Sequence, residues 1–256
     1  MGLNFPVKQE VRLKKTPLSE VICQVKFPPI LLISKETPAN FQEAIRSRFP
    51  ELEVEQGVLL QFGVSPALEK PLVETAPKVY RFKSMDKKSN VALATDFFAL
   101  STNVYTHWED FLNDFTFIER VVREEFNPPY TNRNGLRFIN RFTRKNTGCK
   151  TFDELIDLFR DELTSLIRAE VWTEPNEMLI QIVLPDNQAK LLLRAGFGKE
   201  QKEPFFILDF DYFEDKQLDF KNLSGRIKKY HTKIYQAFRW CLKDSSLERF
   251  EPLTGK

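Results

Sequence analysis

Histidine, cysteine and glycine are all scarce in this 256-residue chain, and each scarcity removes a class of chemistry. Two histidines, His107 and His231, give no His-rich metal spacing, and no Ser-His-acid or Cys-His arrangement can be assembled locally. Three cysteines, Cys23, Cys149 and Cys241, are odd in number and widely spaced, so neither a disulfide framework nor a zinc module is written here. Reduced thiols in a cytosol fit that usage. Of the nine glycines, the Gly196-Phe197-Gly198-Lys199 phrase is too short for a phosphate loop, and no Walker or dinucleotide motif is present. Nucleotide hydrolysis and hydride transfer therefore fall away, and no cofactor is expected.

Long apolar runs are missing too. Nothing approaches bilayer-spanning length, and Met1 to Lys15 lacks the hydrophobic core of a signal peptide. Met1-Gly2 is no myristoylation signal, because Pro6 stands where that signal needs Ser or Thr. A cytoplasmic protein without a membrane partner is the expectation. An excess of charge is also absent: 38 basic against 36 acidic residues leave a formal +2, which excludes a highly cationic nucleic-acid protein on global grounds.

Phenylalanine is abundant, with 24 residues, which calls for well-covered sheets or an aromatic contact surface. The chain is organised around Tyr130 to Phe142. As a strand it places Leu136, Phe138, Asn140 and Phe142 on one face and Arg137, Ile139, Arg141 and Thr143 on the other. Asn134-Gly135 ahead of it reads as a turn. Before it, Val21, Cys23, Val25 and Phe27 alternate in a strand stopped by Pro28-Pro29. Thr37-Pro38 opens a short helix carrying Phe41, Ile45 and Phe49, closed by Pro50. A strand is predicted at Val58 to Val64, a loop at Pro66 to Pro77, and a meander at Val79 to Ser84, Asn90 to Thr95 and Phe97 to Val104. Thr106-His107-Trp108-Glu109 has capping-box spacing ahead of the strongest helical pattern, which runs to Phe126 and stops at Pro128-Pro129.

After the central strand, Thr151 to Glu154 repeats the capping pattern before one helix through Leu166. Strands are predicted at Glu170 to Thr173, Met178 to Leu184, Ala189 to Phe197 and Phe205 to Phe213, with turn chemistry at Asn187 and at Gly196 to Gly198. A last helix covers Leu223 to Leu242. These elements predict an α+β protein of antiparallel meander sheets with helices packed on one side. Helix, meander, helix occurs from Pro38 to Phe126 and again from Thr151 to Leu242, so an internal duplication is a further expectation. An arm at 1–17 and two α+β halves, 18–146 and 147–256, forming one compact unit, complete the layout.

Charge is segregated. Arg133, Arg137, Arg141, Arg144, Lys145 and Lys150 occur between Asn127 and Phe152 without an acid; Lys221, Arg226, Lys228, Lys229, Lys233 and Arg239 do so before Lys243. Arg137, Asn140, Arg141, Arg144, Lys228 and Lys229 are thus candidates for an anion or nucleic-acid site, with Tyr130, Tyr230 and Trp240 as stacking platforms. The alternative is that these runs neutralise the acidic segments Asp153 to Glu162 and Glu203 to Asp219. Asp209 and Asp211, two apart on a strand, point the same way and could share a divalent metal, with Glu214, Asp215, Lys216 and Asp186 completing a nuclease-like set. The alternative there is pairing with the basic helix. His107 and His231 read as structural.

The phrases Phe27-Pro28-Pro29, Tyr80-Arg81-Phe82, Asp96-Phe97-Phe98-Ala99-Leu100 with Tyr105, Gly135 to Arg141, Leu208-Asp209-Phe210-Asp211, and His231 with Ala237-Phe238 occur in this order along nearly the whole chain. In them the chain resembles a sporadically distributed prokaryotic family of uncharacterised proteins. The resemblance implies one full-length unit in a bacterium or archaeon, carried on mobile or defence-associated loci; it implies no known activity and no catalytic residue. The functional expectation is a non-enzymatic binding or adaptor protein with a protein partner. The alternatives are a nucleic-acid-binding protein and a metal-dependent nuclease or hydrolase, and a homodimer is compatible with each.

Overall fold

The computed structural model describes residues 2–35, 37–55, 58–61, 72–75, 78–169, 171, 175–201 and 203–253, with backbone alone at 58–61 and 72–75. About 33% of the chain is helix and 37% strand, and the class is α+β. The strands are β1 (Arg12–Leu13), β2 (Leu18–Lys26), β3 (Glu51–Glu55), β4 (Val58–Gln61), β5 (Leu72–Thr75), β6 (Val79–Lys83), β7 (Ser89–Ala94), β8 (Phe97–Thr102), β9 (Arg133–Thr143), β10 (Met178–Asp186), β11 (Ala189–Glu200), β12 (Glu203–Glu214) and β13 (Pro252–Leu253). The α-helices are α1 (Leu32–Lys35), α2 (Ala39–Ile45), α3 (Trp108–Phe126), α4 (Arg144–Thr147), α5 (Phe152–Ile156), α6 (Asp161–Thr164) and α7 (Leu223–Cys241).

Nine strands form one antiparallel sheet in the order β10-β11-β12-β9-β2-β8-β7-β6-β3. The central pair, β2 with β9, joins two meanders: β8-β7-β6 extends it on one side and β12-β11-β10 on the other. Each half therefore runs strand, short helices, meander, long helix, with the last meander strand beside the first strand. The two long helices, α3 and α7, have 19 residues each. Both halves share the sheet and one continuous apolar core.

Alternation decides which face is covered. On β2, Val21, Cys23 and Val25 are buried while Ile22, Gln24 and Lys26 are half-exposed; on β9 the buried row is Leu136, Phe138, Asn140 and Phe142. Helix α7 packs on β9 and β12, and α3 packs on β8 and α7. Phe142 sits at the centre of the aromatic core, edge-on to Phe159 at 4.8 Å and to Phe250 at 5.8 Å. Phe159 in turn stacks on Phe206 at 4.0 Å.

Several local expectations give way to tertiary contacts. The predicted helix from Thr151 to Leu166 is broken into α5, α6 and a 3-10 turn at Ser165–Arg168. Its middle is diverted because Arg160 N–H donates to the Cys241 carbonyl and Lys243 N–H donates to the Leu158 carbonyl, a bridge to the end of α7. Asn134-Gly135 is not a turn but part of β9; Asn134 Nδ2 donates to Thr131 Oγ1 at 3.0 Å, and Gly135 leaves room for the folded-back Arg133 guanidinium. Helix α3 starts at His107 without a side-chain cap, and Thr106 Oγ1 bonds Asp110 instead of closing a box with Glu109. The full capping box lies at Thr143 and Asn146, where it was not predicted, whereas Thr151 does cap α5 through Glu154 N–H.

Asn187 forms the β10-β11 turn with φ +56°, but Gly196 and Gly198 lie within β11. A Cβ at Gly196 would collide with the Met178 carbonyl oxygen of the neighbouring strand. β3 was also missed: Glu51, Glu53 and Glu55 line one side of this edge strand, and Lys83 and Arg81 meet Glu53 and Glu55 at 2.6 and 2.7 Å. β5 lies inside the expected Pro66 to Pro77 loop and pairs with β4; the remainder of that loop, and all but Val171 of the strand expected at Glu170 to Thr173, lie outside the described residues.

The arm at 2–17 lies along the body. Leu3 N–H donates to Asp186, Phe5 contacts Trp240 at 5.7 Å, Val11 N–H donates to the Tyr235 hydroxyl, and β1 pairs with β13. Phe142→Ala is expected to lower unfolding free energy by about 3–5 kcal/mol, the cost of emptying a close-packed aromatic site. Arg141→Ala, one residue away on the uncovered face, is expected to cost about 1 kcal/mol or less. Urea midpoints at unchanged slope would check both.

Candidate functional site

The uncovered face of the sheet carries the basic strand of the sequence, and most of its arginines are occupied. Arg137 makes a bidentate pair with Asp209, both contacts at 2.7 Å, and Arg194 reaches the same carboxylate at 3.0 Å. The hydrogen bond to Asp209 raises the Arg137 pKa further, so its charge is fixed. Arg133 bonds Asp211 at 2.8 Å and reaches Asp215 at 3.3 Å. Burial still raises the Asp211 carboxyl pKa, with Arg133 working against it. Arg141 pairs with Glu200 and stacks on Phe205 at 3.9 Å, and Arg144 donates to Glu203 at 3.1 Å. Asp209 and Asp211 thus pair with arginines of β9 and β11, not with the basic helix, whereas Asp186 does meet Lys233 of α7. Lys228 and Lys229 are exposed on α7, behind the opposite face of the sheet. The two basic segments do not form a single groove.

The nuclease-like set is dispersed as well. Asp186 accepts from Leu3 N–H at 2.9 Å and from the Tyr212 hydroxyl at 2.7 Å, with Lys233 at 3.1 Å. Burial alone would raise its carboxyl pKa, but these three donors outweigh burial and lower it. Glu214 accepts from the Tyr230 hydroxyl. Among the described residues no three His, Cys, Asp or Glu side chains converge to hold a metal ion.

Asn140 parts company with the arginines around it. It lies on the covered face, 5% exposed, and lines a cavity of about 340 Å³. The cavity is bounded by the arm at Glu10–Leu13, the start of α3, β9 and α7. Its walls are aromatic: His231 stacks flat on Trp108 with centroids 3.9 Å apart and planes 5° from parallel, and Phe138 meets His231 and Tyr105 edge-on at 5.6 and 5.8 Å. Asn140 Nδ2 donates to the Leu208 carbonyl at 3.2 Å, and none of the described residues donates to its Oδ1. Neither ring nitrogen of His231 and no Tyr105 hydroxyl hydrogen bond is satisfied by the described residues.

The electrostatics are set by burial. His231 is 6% exposed, and burial depresses its pKa to about 4 against a small opposing pull from Glu109. The imidazole is neutral at pH 7, so its 3.6 Å approach to Glu10 is a contact and not an ion pair. Burial, then repulsion from Glu109, raises the Glu10 carboxyl pKa, while Arg12 lowers it. Arg12 lies 3.5 Å from Glu109 at the rim. Burial also raises the Tyr105 phenol pKa, with Glu10 and Glu109 adding to it.

Of the sequence candidates, Asn140 alone belongs to this cavity; Arg137, Arg141 and Arg144 lie on the other face, with Asp209 and Asp211. Glu10 is distant in sequence from Tyr105 and Trp108, so no local pattern joins them into a site. The detectable signal was Asn140, the polar residue in an otherwise apolar strand row. No protein-family model matches the chain, and no curated protein matches it either.

The titration of His231 gives a stability test. Its folded pKa of about 4 is below the ordinary 6.5, so the unfolded chain takes up the proton first. The stability that depends on neutral His231 is complete above pH 6.5 and is lost as pH falls towards 4, a difference of about 3 kcal/mol. His231→Phe is therefore expected to gain on the parent by about 2–3 kcal/mol between pH 7 and pH 4.5 in urea unfolding. Parallel pH profiles would contradict this.

Proposed function

We propose that the chain is a non-enzymatic binding protein of a bacterium or archaeon, and that the cavity beneath its N-terminal arm is the ligand site. The observation that carries this is a pair of buried polar side chains, Asn140 and His231, with hydrogen-bonding atoms left open inside an aromatic-walled cavity. These atoms open onto the cavity and are not sealed from solvent, unlike Asn90 Oδ1 and Asn134 Oδ1, so water can reach them. A bound molecule would supply the missing partners. The volume falls at the small end of the ~300–1,000 Å³ typical of ligand pockets. Binding is favoured over catalysis because a stacked imidazole with a pKa of about 4 is a weak base at neutral pH.

A nucleic-acid role has less support. The arginines of β9 already hold carboxylates, and Lys228 and Lys229 lie on the other side of the sheet. An adaptor role is compatible with ligand binding, the arm being the element that could report occupancy to a protein partner. The matched strand order of the two halves also supports descent from one duplicated unit.

Ligand-observed NMR with a library of one- and two-ring fragments tests the cavity. Hits are expected to show intermolecular NOEs to the Trp108 and Tyr105 rings, and to lose at least about tenfold in affinity when Thr16→Trp narrows the mouth. Hits that ignore both criteria, or an absence of hits, would refute the site.

A further inference from the structure

Resting on that reading of the cavity, we propose that its ligand is a small organic cation, a protonated amine carried on an aromatic or planar apolar body. Three observations converge. First, the charged groups at the cavity are Glu10 and Glu109 against Arg12, one negative charge in excess, and Arg12 is already engaged with Glu109. An anion entering here would meet two carboxylates offset only by Arg12, which they share. Second, the walls are rings. Aromatic rings attract cations through their negative faces; one face of Trp108 is taken by His231, and Tyr105, Tyr235, Phe138 and Phe238 are the other rings that line the cavity. Third, the open hydrogen-bonding atoms of Asn140 and of neutral His231 include acceptors: an amide Oδ1 and one imidazole nitrogen. An ammonium group offers three donors and no acceptor, which matches that set.

Glu10 has a particular place in this arrangement. It belongs to the arm, its carboxylate lies 3.6 Å from His231 Nε2, and its side chain is about half-exposed. A cation seated between Glu10 and the rings would therefore touch both the arm and the body. Burial and Glu109 raise the Glu10 carboxyl pKa, and a bound cation would work in the opposite direction. A divalent metal fits less well, since much of the lining is aliphatic or aromatic and no three metal-ligating side chains converge among the described residues.

The test uses matched triads, each ring scaffold presented as amine, alcohol and carboxylate; phenethylammonium, 2-phenylethanol and 3-phenylpropionate are one such set. Affinities are measured by NMR titration at pH 7.5 for fragments that show NOEs to Trp108. The amine members are expected to bind at least about tenfold tighter than their alcohols, with the carboxylates weakest. Glu10→Gln should cut that amine preference by about fivefold or more while leaving the alcohols unchanged. Alcohols or carboxylates binding as tightly as amines would overturn the cationic ligand and leave the cavity standing. No fragment of any charge binding at Trp108 would overturn the site itself. An amine preference untouched by Glu10→Gln would overturn the role given to Glu10.

Discussion

The antiparallel pairing of β2 with β9 joins residues 18–26 to residues 133–143, and each meander is built outward from one member of the pair. Side chains alternate strictly along a strand, so a slip of one residue would exchange the Phe138 row with the Arg137 row. That would bury guanidinium groups under α7 and expose phenylalanines. The register is held against such a slip at one end by a bulge. Leu18 faces Asn140 and Glu20 faces Ile139, so Ser19 is the extra residue, and its hydroxyl donates to the Ile139 carbonyl at 2.8 Å. Arg141 N–H donates to the Pro17 carbonyl just beyond.

The bulge also governs the candidate site. Bulges bend a strand and end regular pairing, and they are common beside functional sites. Here the chain N-terminal to Pro17 leaves the sheet and becomes the arm that borders the cavity beside Asn140, Phe138 and His231. The arm is held by polar contacts at Asp186 and Tyr235, by the β1-β13 pair and its continuation at Lys14 and Lys15, by ion pairs to Asp244 and Glu251, and by Leu3, Phe5 and Leu13 packed on the core. A central strand that runs on into a cover leaves an open-mouthed cavity beside the main core.

What the sequence revealed followed the range of the interactions involved. The period-two row of β9 and the period of α3 and α7 were readable because neighbouring residues alone determine them. So were the stops at Pro28-Pro29 and Pro128-Pro129, where the chain cannot continue its ladder or helix. The failures were long-range. Residues 151–166 carry a helical pattern, yet a strand-like bridge to the end of α7 divides them. Asn134-Gly135 has turn chemistry, yet the Arg133 side chain occupies the space above the glycine and the ladder runs through. Cross-strand partners such as Asp209 for Arg137 depend on register, which no local window contains. The cavity gathers Glu10, Tyr105, Phe138 and His231 from four distant segments.

The two faces of the sheet then answer one constraint in different ways. A nine-stranded antiparallel sheet with helices on one side must present its other side to water, and half-exposed apolar residues such as Ile139, Ile207 and Phe205 lie there. Paired charges such as Arg137 with Asp209, and guanidinium groups stacked over phenylalanine, keep that side polar while covering its carbon. These charges are consumed in making the surface compatible with solvent. On the covered side the expectation is reversed, since a polar group there is a cost unless it is satisfied. Asn140 could be replaced by an apolar residue if packing were its whole purpose, and its neighbours Phe138 and Phe142 show what the row otherwise prefers. Asn140 meets that cost in part through the Leu208 carbonyl, and its remaining oxygen opens onto the cavity beside His231, where solvent can reach it.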